Sequence, residues 1–347
     1  MFRLIKRVRV QKGPVHLGHP VLSSEAIYLG WDRIYRIDAQ ELRTVWSRHH
    51  EGFAVSLVFG GVLFVGTGLA LMALDLVSGE TLWSRPFVGS LSWRGQVMTF
   101  EPDYALIIDP LTGEALDRME TPGRSTVHAL DKDLLYTKGQ ANDVAAAYEL
   151  TERTILWERP LLEETKTEYD APGEVMSLVA GTRAIVLTKP DVGIFGCSKE
   201  TGRILWYQKA FVSHYIPVVV DGRVYALTQG LPMRNDFAKF LCFDELTGER
   251  IYQTEHRELL GARPSRGTVF NDHIAFGNRD GNVSVFRLSD GELVWSHRTR
   301  GETWQPAYGH NRLYVTSDDG HLLVFEGKKS PTKTKTKTMS KAKIKDG

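Results

Sequence analysis

The chain has 347 residues, 42% hydrophobic and 24% charged, with a mean hydropathy of −0.23. That is enough apolar material for a sizeable core in a soluble protein and too much for a disordered or collagen-like one. Its 43 Lys and Arg balance 42 Asp and Glu, but eight lysines and a single acid fall in residues 328–347, so a mildly acidic body carries a basic tail. Two cysteines, Cys197 and Cys242, exclude a disulfide-dense secreted scaffold and a four-cysteine zinc site and point to a reducing compartment.

At the amino terminus, Arg3, Lys6, Arg7, Arg9 and Lys12 alternate with Phe2, Leu4, Ile5, Val8 and Val10. A secretory signal places its bases before an unbroken apolar run of about seven or more, so a cytoplasmic location is expected. Further on, Phe53 to Leu74 is 22 residues without a charge, long enough for a membrane-spanning helix. Gly60-Gly61 and Gly66-Thr67-Gly68 cut it into short Val-, Leu- and Phe-rich runs, which predicts strands and turns and no membrane span.

Those strands belong to a repeat. The segment from Leu74 to Trp83 reads as an apolar run, an acid, three residues, a glycine, three residues and a tryptophan. Asp109 with Gly113 and Asp244 with Gly248 copy it closely; Asp38, Glu149, Ser198, Arg287 and Glu326 occupy the acid position in weaker copies. The tryptophan position holds Trp46, Trp83, Asp117, Trp157, Trp206, Tyr252 and Trp295 in turn. The mean period is about 41 residues, with four short strands per unit, which predicts propeller blades. In the second unit the strands are expected at 55–59, 62–65, 70–74 and 80–84, with Gly60-Gly61 as the first hairpin turn. Asp221-Gly222, Asn271-Asp272 and His310-Asn311 are the equivalent turns.

Ala-Leu-Asp, then a Ser/Thr-Gly turn, then Leu-Trp resembles the repeat of the PQQ-like (pyrroloquinoline-quinone-type) β-propeller superfamily, over roughly residues 15–326. The resemblance implies that Trp46, Trp83, Trp157, Trp206 and Trp295 dock between neighbouring blades. A large flat ring with one polar N–H suits a seam whose edge offers a carbonyl. Seven complete units and an eighth lacking its outer strand leave one strand to be found, and residues 2–10 supply it. The expected fold is all-β: an eight-bladed propeller of four-stranded antiparallel blades, closed by the N-terminal strand. It forms one domain over 1–327, followed by a disordered lysine/threonine-rich tail over 328–347. In size it resembles the non-catalytic outer-membrane assembly type of that superfamily, without its export signal.

Quinone enzymes of the superfamily carry an adjacent cysteine pair and a calcium site, and neither pattern is present. Cys197 and Cys242 read as packed core thiols on opposite sheet faces. Gly66-Thr67-Gly68 lacks the third glycine and the helix of a dinucleotide fingerprint. His16 with His19, and His49 with His50, lack a third ligand at a recognisable spacing. The 278–282 and 317–320 segments lack the distal glutamate of a calcium loop and read as hairpins. No catalytic residue, cofactor or metal is expected.

Loop length points elsewhere. In a four-stranded blade the second-to-third loop and the link to the next blade emerge on one face, and the long segments 138–144, 160–174 and 228–238 are all of these kinds. Loops held on a rigid scaffold carry function more often than the scaffold does. Tyr169, Asp170, Met233, Arg234, Asn235, Asp236 and Phe237 are therefore the candidate contacts for a protein or peptide partner. The alternative is a quinone- or small-ligand-binding propeller, an oxidoreductase or sensor, using the central funnel. The basic tail suits nucleic acid or an anionic surface, and a monomer is expected.

Overall fold

The computed structural model describes residues 2–13, 15–49, 54–66, 70–86, 88–101, 104–120, 125–139, 144–160, 177–189, 193–210, 217–228, 237–259 and 264–327. Eight four-stranded antiparallel sheets follow one another along the chain as blades 1 to 8. Blade 2 illustrates the unit, with strands Ala54–Phe59, Val62–Gly66, Leu71–Asp75 and Thr81–Arg85, each within one residue of its expected position. Blade 8 takes three strands from the carboxyl end and its outer strand, Phe2–Arg9, from the amino end. Phe2 lies opposite Gly327 and Arg9 opposite His321, so the first and last described residues close the ring.

A propeller has no single core. The buried side chains form eight clusters, each shared by two adjacent blades. Strand alternation sends one set of residues to each neighbour. In blade 5, Ile185, Leu187, Phe195 and Cys197 face blade 4, while Val186, Ile194 and Trp206 face blade 6.

The repeat has a physical origin at each turn between the third and outer strands. Asp75 Oδ1 accepts the amides of Val77 and Ser78 at 3.0 and 2.7 Å, and Gly79 N–H returns to the Asp75 carbonyl at 2.9 Å. Asp38, Asp109 and Asp244 accept from the same two positions, and in blade 5 Ser198 Oγ does so. These amides hold Asp38, Asp75 and Asp109 below the usual carboxylate range.

The glycine of this turn exists because of the blade before it. A Cβ on Gly79, Gly113, Gly202, Gly248 or Gly291 would come within 2.5 to 2.8 Å of the ring of Trp46, Trp83, Trp157, Trp206 or Tyr252. Two units break the rule together. Blade 3 offers Asp117 in place of the aromatic, and the glycine position of blade 4 is Arg153, with φ +57. Arg153 then pairs with Asp117 at 2.5 Å. Blade 8, whose outer strand comes from the other end of the chain, offers no tryptophan, and blade 1 holds Leu42 at φ 54. With no ring above, a side chain fits despite the left-handed backbone.

The face carrying these turns and the first hairpins, here the lower face, is stapled from blade to blade. Trp93 and Arg94 of blade 3 reach Asp133 of blade 4, at 3.1 and 2.7 Å. Lys199 of blade 5 meets Asp131 of blade 4 at 2.5 Å. Glu245 of blade 6, with no exposure, accepts the amides of Arg183 and Ala184, both at 2.6 Å, and the Thr182 hydroxyl at 2.9 Å. Beside it, the Arg183 guanidinium pulls the Asp244 carboxyl down to about 2, helped by the Thr247 and Leu246 amides. A carboxylate whose folded pKa is depressed adds stability above its ordinary pKa and loses it as pH falls through the folded value. Because the Asp244 side chain is 30% exposed, solvent screening leaves about 1 kcal/mol of this. Asp244→Asn is expected to reduce the loss of stability between about pH 4 and 2 by that amount, read from denaturant titrations across the range. Equal acid limbs for the two proteins would remove the assignment.

Candidate functional site

With the lower face committed to structural pairs, the opposite, upper face carries the second-to-third turns and the blade links. Of the seven predicted contact residues, Tyr169, Asp170, Met233, Arg234, Asn235 and Asp236 lie outside the described residues. Phe237 is described. It is half-buried at the foot of the 228–238 loop, whose base is closed by two bonds, Thr228 N–H to the Lys239 carbonyl and Lys239 N–H to Thr228 Oγ1, both 2.9 Å. Arg257, from the link to blade 7, stacks over the Phe237 ring with its guanidinium carbon 5.0 Å from the centroid, and its side chain is 78% exposed. Sequence reasoning missed Arg257 because it follows an ordinary outer strand.

A second cluster stands on the same face where blades 7, 8 and 1 meet. The His16 ring lies 6.4 Å from that of Trp31 and 5.8 Å from that of Trp304. Asp318 orders the group: Oδ2 is 3.0 Å from His16 Nδ1 and Oδ1 accepts Trp304 Nε1–H at 2.7 Å. The Trp31 ring remains 39% exposed. These residues come from the link into blade 1, the second-to-third turns of blades 1 and 8, and the link into blade 8. Only ring closure brings positions 16 and 31 to 304 and 318, so the sequence carries no local signal for them.

Toward the axis, Arg266 and His19 each stand two residues before an inner strand, in blades 7 and 1. Burial lowers the pKa of both groups, and the Arg266 charge lowers His19 further. The two residues come from blades 7 and 1, which are separated by blade 8. No acid pairs with Arg266 among the described residues. Nearby in sequence, Asn278 is fully buried with neither side-chain amide atom bonded. The described residues do not fit a quinone with calcium. Cys197 and Cys242 lie in the 4–5 and 6–7 seams, and no three His, Cys, Asp or Glu gather as metal ligands among the described residues.

The tryptophans named for docking stand at the seams. Trp46, Trp83, Trp157 and Trp206 each donate Nε1–H to a carbonyl of the next blade's turn, at 3.3, 3.0, 2.7 and 2.9 Å, and Tyr252 sends its hydroxyl to Leu288 at 2.6 Å. Trp295 packs instead against Phe325 and Phe2. The side chain two positions on forms a second clip that the sequence analysis did not single out: Arg48, Arg159, Gln208 and Thr254 all donate to carbonyls of the following blade.

A family model for PQQ_2, described as outer membrane protein assembly factor BamB, matches residues 103–235 and 238–333, well over half of the chain. The chain belongs to this family. No curated protein sequence matches this PQQ_2 propeller significantly. Among solved structures, BamB from Moraxella catarrhalis is similar at 16% identity and a TM-score of 0.68, covering 95% of this chain and 99% of that one. A europium-containing methanol dehydrogenase superposes at 12% identity and 0.69, covering 94% and 93%. Sqt1 from Chaetomium thermophilum, bound to the N-terminus of ribosomal protein L10, does so at 13% and 0.69, covering 93% and 99%. At these identities the likeness speaks for the eight-bladed fold, which hosts both binding proteins and enzymes. Among the described residues no helix is long and apolar enough to cross a membrane.

Proposed function

We propose that this PQQ_2 propeller is a non-catalytic scaffold that binds a protein or peptide on its upper face. The observation that carries the reading is the exposed Trp31–His16–Trp304 group held by Asp318. Tryptophan and arginine anchors supply most of the energy at protein interfaces, at roughly 2 kcal/mol or more each. Rings already ordered by packing lose little entropy on binding. Phe237 with Arg257 provides a second anchor of this kind on the same face, and the family description and the peptide-bound Sqt1 agree with it. In this proposal the predicted contacts Tyr169, Asp170, Met233, Arg234, Asn235 and Asp236 extend the surface, and the protein works in a reducing compartment, with both thiols buried in separate seams.

A peptide-display selection on the wild-type protein, counter-selected on Trp31→Ala/Trp304→Ala, is expected to yield ligands that lose tenfold or more in affinity for that variant and for Arg234→Ala/Phe237→Ala, with melting unchanged. Ligands that bind all three proteins equally would place the site elsewhere. A second reading, a small anion in the central funnel, is favoured by Arg266 and Asn278. Ligand-induced stabilisation by a carboxylate library that is lost in Arg266→Gln would support it.

A further inference from the structure

The amino-terminal strand differs in charge from every other outer strand. Phe2–Arg9 carries four bases and no acid, whereas none of the seven others has more than one Lys or Arg. A single base per outer strand is what blocking edge-to-edge pairing requires; four exceed it. Arg3, Lys6, Arg7 and Arg9 are all exposed, and none forms an ion pair among the described residues. Glu326 stands opposite Arg3, but Lys6, Arg7 and Arg9 have Val324, Leu323 and His321 opposite them. Burial lowers the pKa of His297 in blade 7, and the Arg7 charge lowers it further, so the positive potential extends across the 7–8 seam.

The register adds the tail. Since Phe2 pairs with Gly327, the residues that follow, with their eight lysines, begin beside the first residue of this strand. We propose that this strand is a cationic track that binds the phosphate backbone of a nucleic acid without base selection, with the lysines of 328–347 adding to its charge. Lys6 and Arg7 are consecutive, so they project to opposite sides of the strand. A flexible run of phosphates can follow both sides of that ridge, whereas a flat lipid surface meets only one. Leu4 is the only large apolar side chain exposed on the strand, too little to anchor it in lipid.

Fluorescence anisotropy of the full chain with a labelled oligonucleotide of about 30 nucleotides, across a salt series, tests this. The expected result is binding whose logarithmic salt slope falls by about 1.4 to 1.8 in Lys6→Gln/Arg9→Gln, at roughly 0.7 to 0.9 for each phosphate no longer neutralised. Affinity at low salt should drop at least fivefold, while Lys6→Arg binds as the wild type does. Deleting 328–347 should weaken binding independently, and combining both changes should abolish it. If the double variant melts early, Arg9→Gln alone replaces it, with half the change in slope. Absence of binding by the wild type, an unchanged slope in the strand variant, or binding only to vesicles containing about 30% phosphatidylserine overturns the proposal.

Discussion

Deleting residues 2–9 is expected to lower stability by on the order of 5 kcal/mol and to shift melting by roughly 10 °C. The deletion removes Val8, which is 8% exposed, together with Ile5 from the cluster between blades 8 and 1. It also removes Phe2, whose ring lies 5.7 Å from Phe270 and 5.5 Å from Trp295. Each apolar side chain returned to water costs about 1.5 to 3 kcal/mol, and 1 kcal/mol moves melting by a few degrees in a chain of this size. The exposed edge of His321–Gly327 then becomes a template for pairing with another molecule, so oligomers should accumulate as well. Calorimetry and size-exclusion chromatography read the two effects. A shortened protein with wild-type melting and wild-type monomer content would falsify closure by this strand as the element that holds the ring.

Trp83→Ala is expected to cost about 3–5 kcal/mol, the range for an aromatic truncated in a core. Its ring is 7% exposed, packs on Phe64 at 5.9 Å, and seals the blade 3 turn through the bond to Pro110. Asp117→Ala, at the same repeat position one blade later, should cost about 1 kcal/mol or less. The ion pair it removes joins side chains 52% and 42% exposed, and exposed pairs contribute little. Denaturant titrations of both variants separate the two, and equal losses would show that the repeat position is not where a seam is sealed.

Much of this fold was legible because a repeat makes each unit confirm the others. The acid-to-glycine interval encodes a turn in which one carboxylate caps two amides, and the missing eighth outer strand pointed to residues 2–10 as its replacement, of which Phe2–Arg9 form the strand. Leu42 and Arg153 also carried a readable signal. A non-glycine at the glycine position follows the units with no aromatic to offer, since the constraint lies between blades. Of the predicted site, Phe237 gained a partner, Arg257, that no local pattern marks.

Reading along the chain is enough for the number of units, their strands and the closure of the ring, because each of these depends on residues near one another in the chain or on a period. Which side chains meet across the seams is settled by the folded ring alone. The Asp133 staple, the buried Glu245 clasp and the Trp31–His16–Trp304–Asp318 group join residues from 14 to 302 positions apart. Their energies depend on distances that exist only once the ring is closed, and a pattern read along one chain holds no record of them.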